Sequence, residues 1–167
     1  MSHTSESLRA AESWAEVRAH DLIVRYRRSG TGRSVLLLCP ATAVSSLWPE
    51  LTEALDRDFR VLAPVVPPDA QLVRGLIGFL DGLGTSRVAV VATDALCVPA
   101  LELALLDPER IARAVLLPCE AGGRARLDAA LTTTAHDLSV PLLVVPRGTA
   151  AANAVARIGA FLGDTWD

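Results

Sequence analysis

The chain has 167 residues, 51% of them hydrophobic and 21% charged, with a formal net charge of −3. This length fits one domain with a substantial core, and the composition excludes a disordered or fibrous protein. All 16 basic residues are arginine, so lysine Schiff-base chemistry and a phosphate-loop lysine are excluded, and the acidic balance gives no reason to expect nucleic acid.

The first residues, Met1 to Ala15, are polar and lack the apolar stretch of a signal peptide, so residues 1–13 read as a tail and 14–167 as the domain. No apolar run is long enough to span a bilayer, and no membrane partner is expected. Alternating runs at Ala15–Arg18 and Val24–Arg27, broken at Ala19-His20, predict a half-exposed β-hairpin. Ser29-Gly30-Thr31-Gly32 is a turn, and Val35–Leu38 is apolar on both faces, as a central strand covered on each side must be.

From there strands and helices alternate. A helix over Trp48–Leu55 can be capped by Ser45 or Ser46, and a strand over Arg60–Ala63 stops at Pro64. Asp69 is the expected cap of a helix carrying Leu72, Leu76, Phe79, Leu80 and Leu83, ended by Gly84. A buried strand over Val88–Val91 leads to a helix from about Ala95 to Leu106, with Pro99 near its start. A strand at Ala114–Leu117, a helix at Arg124–Thr133 and a strand at Leu142–Val145 follow. The final helix, Ala150–Leu162, is weakened by Gly159 and closed by Gly163. Such alternation implies an α/β three-layer sandwich with a mainly parallel sheet.

The order of these segments resembles the α/β-hydrolase fold. Arg25-Tyr26 through Gly32 and then Val35–Pro40 resemble the opening of that fold, where a glycine turn leads to an apolar strand and a His-Gly. Trp48–Leu55 with Phe59–Pro64 resembles the helix and strand that follow, and Leu80–Leu83 with Arg87–Asp94 the approach to the nucleophile elbow. Leu101–Ala104 with Asp107–Ile111 and Ala114–Leu117 resembles the helix and strand beyond it, and Val140–Val145 the strand before the catalytic acid. The likeness runs from about Trp14 to Leu162.

The departures are as informative as the match. The family's G-x-S-x-G elbow sets a nucleophile on a tight strand-to-helix turn. Here Ala92-Thr93-Asp94-Ala95-Leu96 stands in that place, with Asp94 where the serine would be and no glycine on either side, which implies a less sharp turn. Cys39-Pro40 replaces the His-Gly, and proline removes a backbone donor. Pro146–Ala150 runs directly into the last helix, so the resemblance implies a truncated fold lacking the last strand and its histidine. Between Glu120 and Ser139 there is room for one helix and no lid. His3 falls in the tail, His20 in the hairpin turn, and His136 ahead of a strand at the opposite sheet edge, so no serine–histidine–acid triad can be assembled.

Sites in parallel sheets form at the C-terminal strand ends. That edge should carry Asp94 as the catalytic candidate, with Cys39, Trp48, Thr93, Ala95, Cys119 and Arg147 lining a substrate site. An aspartate at the elbow is a nucleophile in the dehalogenases and epoxide hydrolases that the chain resembles at this residue, but those enzymes also need a histidine base. The alternative is that Asp94 caps its helix, whose start favours a negative charge. Cys39 and Cys119 either face one cleft, where a thiolate near Arg147 would be reactive, or pack as small apolar residues; Cys97 is packing. Arg147 either recognises a carboxylate or is a surface residue, and Trp48 either lines the pocket or belongs to the core. Three widely spaced cysteines match neither a disulfide framework nor a zinc site. No metal or cofactor is expected, and the location expected is cytoplasmic.

Three functional classes remain open. The first is a non-hydrolytic enzyme that binds a small, mostly apolar molecule and promotes cyclisation, isomerisation or elimination, in a setting such as natural-product biosynthesis. The second is a pseudo-hydrolase that acts by binding a ligand or partner. The third is a hydrolase using Asp94 or a cysteine. Losing the last strand leaves Leu142–Val145 as an apolar sheet edge, which predicts a homodimer or a protein partner there.

Overall fold

Side chains along the central strands alternate between two apolar surfaces, and this decides the layering. In the computed structural model, which describes residues 13–40, 47–65, 69, 71–118, 123–164 and 166 (backbone alone at Leu47 and Trp48), seven strands form one sheet. The elements in chain order are β1 (Ser13–Ala19), β2 (Leu22–Ser29), β3 (Arg33–Leu38), α1 (Leu47–Asp56), β4 (Phe59–Pro64), α2 (Leu72–Gly82) and β5 (Val88–Thr93). A single 3-10 turn, Asp94–Leu96, then leads to α3 (Cys97–Leu106), β6 (Ile111–Leu117), α4 (Gly123–Thr134), β7 (Leu142–Val144) and α5 (Ala151–Gly163).

The sheet order is β1-β2-β4-β3-β5-β6-β7. β1 and β2 form an antiparallel hairpin, β2 pairs antiparallel with β4, and the remaining strands are parallel. Leu36, Leu38, Val90, Ala92, Ala114 and Leu116 point to one side, where α2, α3 and α4 supply Leu76, Phe79, Leu101 and Leu127. Val35, Leu37, Ala89, Val91, Val115 and Leu117 point to the other, where α1 and α5 supply Leu51, Leu55, Ala154, Ile158 and Leu162. Each fully buried large side chain of this kind contributes about 1.5–3 kcal/mol, which drives both helical layers onto the sheet. The three-layer α/β reading holds.

The position of α5 bears out the shortened ending. It packs beside α1, and the chain reaches it from β7 through residues 145–150, with no strand between. Arg33, the first residue of β3, anchors its C-terminus. The Arg33 guanidinium donates to the Asp164 carbonyl at 3.0 Å and to the Leu162 and Gly163 carbonyls at 3.4 Å. It also lies 4.7 Å from the Trp166 ring centroid and 5.6 Å from that of Phe59. A cation is favoured where helix carbonyls are left without amide partners.

β7 ends the sheet, as expected, but it is not unprotected. It is three residues long, and Pro141 and Pro146 bracket it. Short length and flanking proline are the usual means of blunting an edge, because proline cannot donate to a further strand. A second correction concerns Asp69. The cap position of α2 is Gln71, with no side-chain cap bond. The Asp69 carboxylate instead accepts from the Gln71 backbone N–H at 2.8 Å, closing the turn ahead of the helix. Gly84 ends that helix in a left-handed conformation (φ +63°), as expected of a glycine there.

Candidate active site

β3 and β5 are neighbours in parallel register, with Leu38 opposite Ala92. The next residue on each strand, Cys39 and Thr93, therefore stands at the C-terminal end of the sheet, and Asp94 follows. Thr93 is 2% exposed and Asp94 6%, a deeply buried pair of polar residues for a strand end. Thr93 also pairs with Leu117 of β6, so its position is fixed on both sides.

Asp94 has φ +53°. Left-handed backbone is costly for residues with a Cβ, by roughly 1–2 kcal/mol, and aspartate is among the few that adopt it at all. The turn is therefore sharp, contrary to what the missing glycines implied. The conformation also corrects the capping alternative. A helix cap residue has extended backbone, and here Thr93 (φ −119°, ψ 151°) holds that position before the 3-10 turn, making no side-chain cap bond. The Asp94 backbone carbonyl accepts from the Cys97 N–H, which joins the turn to α3. The Cys97 thiol is buried and donates to the Ala92 carbonyl at 3.5 Å, so it is packing, as anticipated.

The Cys39 thiol is half-buried and donates to the carbonyl of Pro40 at 3.6 Å. Burial pushes its pKa up, the Thr93 hydroxyl counters this in part, and the negative charge of Asp94 adds to the rise. The thiol is near enough to feel both side chains, yet Thr93 Oγ1 is left without a well-formed hydrogen bond. A thiol held this way stays protonated at neutral pH and is a weak nucleophile. Burial and the Asp94 charge thus disfavour the thiolate form of Cys39.

The other expected site residues divide as follows. Ala95 is exposed beside Asp94. Arg147 is exposed in the turn after β7, two strands from β5, and among the described residues no ion pair joins it to Asp94. Trp48 lies in the first turn of α1 with its side chain outside the description, and Cys119 lies outside the described residues altogether. His136 is exposed in the turn after α4, ahead of β7 and hence toward the opposite edge of the sheet. His20 occupies the β1–β2 turn with φ +55°, its ring against Gly78 of α2. Its strand pair is three places from β5, about 14 Å at the usual strand spacing. The structure thus gathers Cys39, Thr93 and Asp94, and leaves both of these histidines elsewhere.

A cavity of ≈ 450 Å³ lies away from this cluster, between α1 and α5, lined by Leu51, Leu55, Phe59 and Val155 with Arg33 and Asp58. Among the described residues no group of three His, Cys, Asp or Glu side chains is placed to hold a metal ion. Among the same residues no helix is long and apolar enough to cross a membrane.

No protein-family model matches the sequence, and no curated protein matches it significantly. Solved structures do match. An epoxide hydrolase from Vigna radiata aligns with a TM-score of 0.55 and 25% identity over 64% of this chain and 38% of its own. A haloalkane dehalogenase from Bradyrhizobium elkani aligns with a TM-score of 0.56 and 20% identity, over 65% and 42%. A membrane phospholipase A described as a bacterial virulence factor gives 0.57 and 17%, over 64% and 39%. The chain spans about two fifths of the length of these proteins.

Proposed function

Because the chain is a shortened α/β-hydrolase fold, we propose that it uses the elbow of that fold for a non-hydrolytic step on a small, mostly apolar molecule. Asp94 acts as a base or hydrogen-bond acceptor in a cyclisation, isomerisation or elimination. The observation that carries this reading is the left-handed backbone of Asp94, with its side chain buried at the head of β5. Strained backbone is retained where surrounding structure imposes it, and such positions cluster at functional sites.

Ester-forming chemistry at Asp94 fits less well. An aspartyl ester needs a base to activate the water that releases it, and neither described histidine stands at the elbow. The test is a panel of a p-nitrophenyl ester, an epoxide and a haloalkane, with Asp94→Asn as the control. No Asp94-dependent turnover is expected; turnover lost in Asp94→Asn would make the chain a hydrolase and overturn the proposal.

A second reading, that the chain acts by binding a partner, is favoured by one observation. On its outer side β7 has no neighbouring strand among the described residues. In a parallel strand bonded to β6 through Leu143, the amide groups of Leu142 and Val144 face outward. A second copy pairing there would form a two-fold edge contact kept short by the flanking prolines. Light scattering after size exclusion decides it, a monodisperse monomer counting against the edge contact.

A further inference from the structure

Alternate residues of a strand share one face, and across β1, β2 and β4 this lines up three cross-strand rows. Trp14 stands opposite Arg27, which stands opposite Ala63; Glu16 stands opposite Arg25, and Arg18 opposite Ile23. Val65, whose backbone N–H donates to the Arg25 carbonyl at 2.8 Å, extends the middle row. Val24 and Tyr26 point the other way, into the core, where Tyr26 meets Phe79 of α2 edge-on. The face that carries the rows is open to water, since Trp14, Ile23 and Val65 are each more than half exposed. They are three of the five large apolar side chains so exposed among the described residues, and a fourth, Leu22, adjoins Ile23 in the chain. That is a cluster and not the usual scatter of single apolar residues. Among them stand three arginines and one glutamate, a local positive surplus on a chain whose net charge is −3. The Arg25 and Arg27 guanidiniums lie over the Trp14 ring, 4.9 and 6.0 Å from its centroid. Glu16 reaches Arg25 only at 3.9 Å, an exposed pair worth little.

We propose that this face docks on the surface of an anionic lipid bilayer, with Trp14, Ile23 and Val65 entering the headgroup region and Arg18, Arg25 and Arg27 meeting lipid oxyanions. Tryptophan is enriched at such boundaries because its ring is apolar and its N–H polar. Arginine bonds oxyanions through its edge while its plane stacks, so the contacts with Trp14 and those with lipid are compatible. The positive surplus draws this side of an otherwise acidic chain toward a negative surface. A protein is the rival occupant, but protein partners are held chiefly by anchors seated in well-packed pockets. On this face apolar and charged side chains alternate over an open pleat, and the cavity between α1 and α5 shares no residue with them. A fluid bilayer takes up such a contour without a matching partner surface. Docking of this kind needs no spanning helix, and its pattern is divided among three strands, which is why the sequence alone predicted no membrane partner.

The test is cosedimentation of the intact chain with sucrose-loaded vesicles of phosphatidylcholine and phosphatidylserine at a ratio of about 7:3, beside vesicles of phosphatidylcholine alone. At about 0.1 M salt wild type should bind the mixed vesicles and not the neutral ones, and about 1 M salt, which shortens the screening length to roughly 3 Å, should release it. Each of Arg18→Gln, Arg25→Gln and Arg27→Gln should lower the partition coefficient by about fivefold, the worth of one basic residue near such a surface. Trp14→Ala should lower it several-fold, and circular dichroism should show the fold intact, since Trp14 is exposed. Arg157→Gln, at an exposed arginine of α5, should bind as wild type does. An equal loss in Arg157→Gln would show bulk charge at work and overturn the assignment to this face. Failure of wild type to bind the mixed vesicles, or binding that survives Trp14→Ala combined with all three arginine changes, would overturn it outright. Retention on immobilised poly-glutamate without vesicle binding would give the face to an acidic protein and overturn the proposal as well.

Discussion

Replacing Asp94 with glycine and with alanine separates backbone strain from side-chain chemistry, because both substitutions delete the carboxylate and differ only in Cβ. At φ +53°, alanine bears a left-handed penalty of about 1–2 kcal/mol that glycine avoids. Against this, glycine loses about 0.5–1 kcal/mol more through the freedom of its unfolded chain. The difference leaves Asp94→Ala less stable than Asp94→Gly by about 1 kcal/mol, or about 2–4 °C in melting temperature for a chain of this size. Gly159 provides the opposite control. It lies inside α5 with nothing within 4 Å of an added Cβ, so Gly159→Ala should raise stability by about 0.5–1 kcal/mol. The assay is differential scanning calorimetry of the three variants with wild type. If Asp94→Ala melts above Asp94→Gly, residue 94 is not left-handed and the claim of a strained elbow is wrong.

Other expectations follow from particular contacts. With Cys119→Ser as background, iodoacetamide should alkylate Cys39 only as pH rises beyond the ordinary cysteine range, because burial and Asp94 disfavour the thiolate. Asp94→Asn removes the like charge and should move that rate profile to lower pH; an unmoved or raised profile would show that the two groups do not interact. Arg33→Ala removes contacts to three carbonyls at the end of α5 and to two rings, and should cost about 1.5–3 kcal/mol in urea unfolding. Arg33→Lys should recover less than half, since an ammonium cannot match a planar fork that both stacks and bonds. A Cβ at Gly82 would collide with the Arg18 carbonyl oxygen, whereas one at Gly78 meets the movable His20 ring. Gly82→Ala should therefore cost about 1–3 kcal/mol, and Gly78→Ala should be clearly milder by the same unfolding assay.

The apolar patterns alone were enough to determine the layered sheet. Runs such as Val35–Leu38 and Val88–Val91 have no polar face, so they must be covered on both sides, and the segments between them have helical spacing. Even the missing last strand was legible, because six residues between β7 and α5 leave no length for it. Solvation and chain length are local properties of sequence, and these features depend on little else.

The site depended on neighbours that sequence does not list. Aspartate after an apolar strand fits an ordinary helix cap equally well, and only the join of β5 to α3 forces it left-handed, as its tolerance of that conformation allowed but did not require. Nothing in Cys39 itself says whether it is reactive; the Thr93 and Asp94 side chains reach it through the β3–β5 register, across more than fifty residues of chain. The same holds at the sheet edge, where the strand was foreseeable but the blunting by Pro141 and Pro146 acquired meaning only once β7 was seen to stand last. Polypattern fixes which groups leave water, whereas the protonation and strain of a site are set by which groups meet.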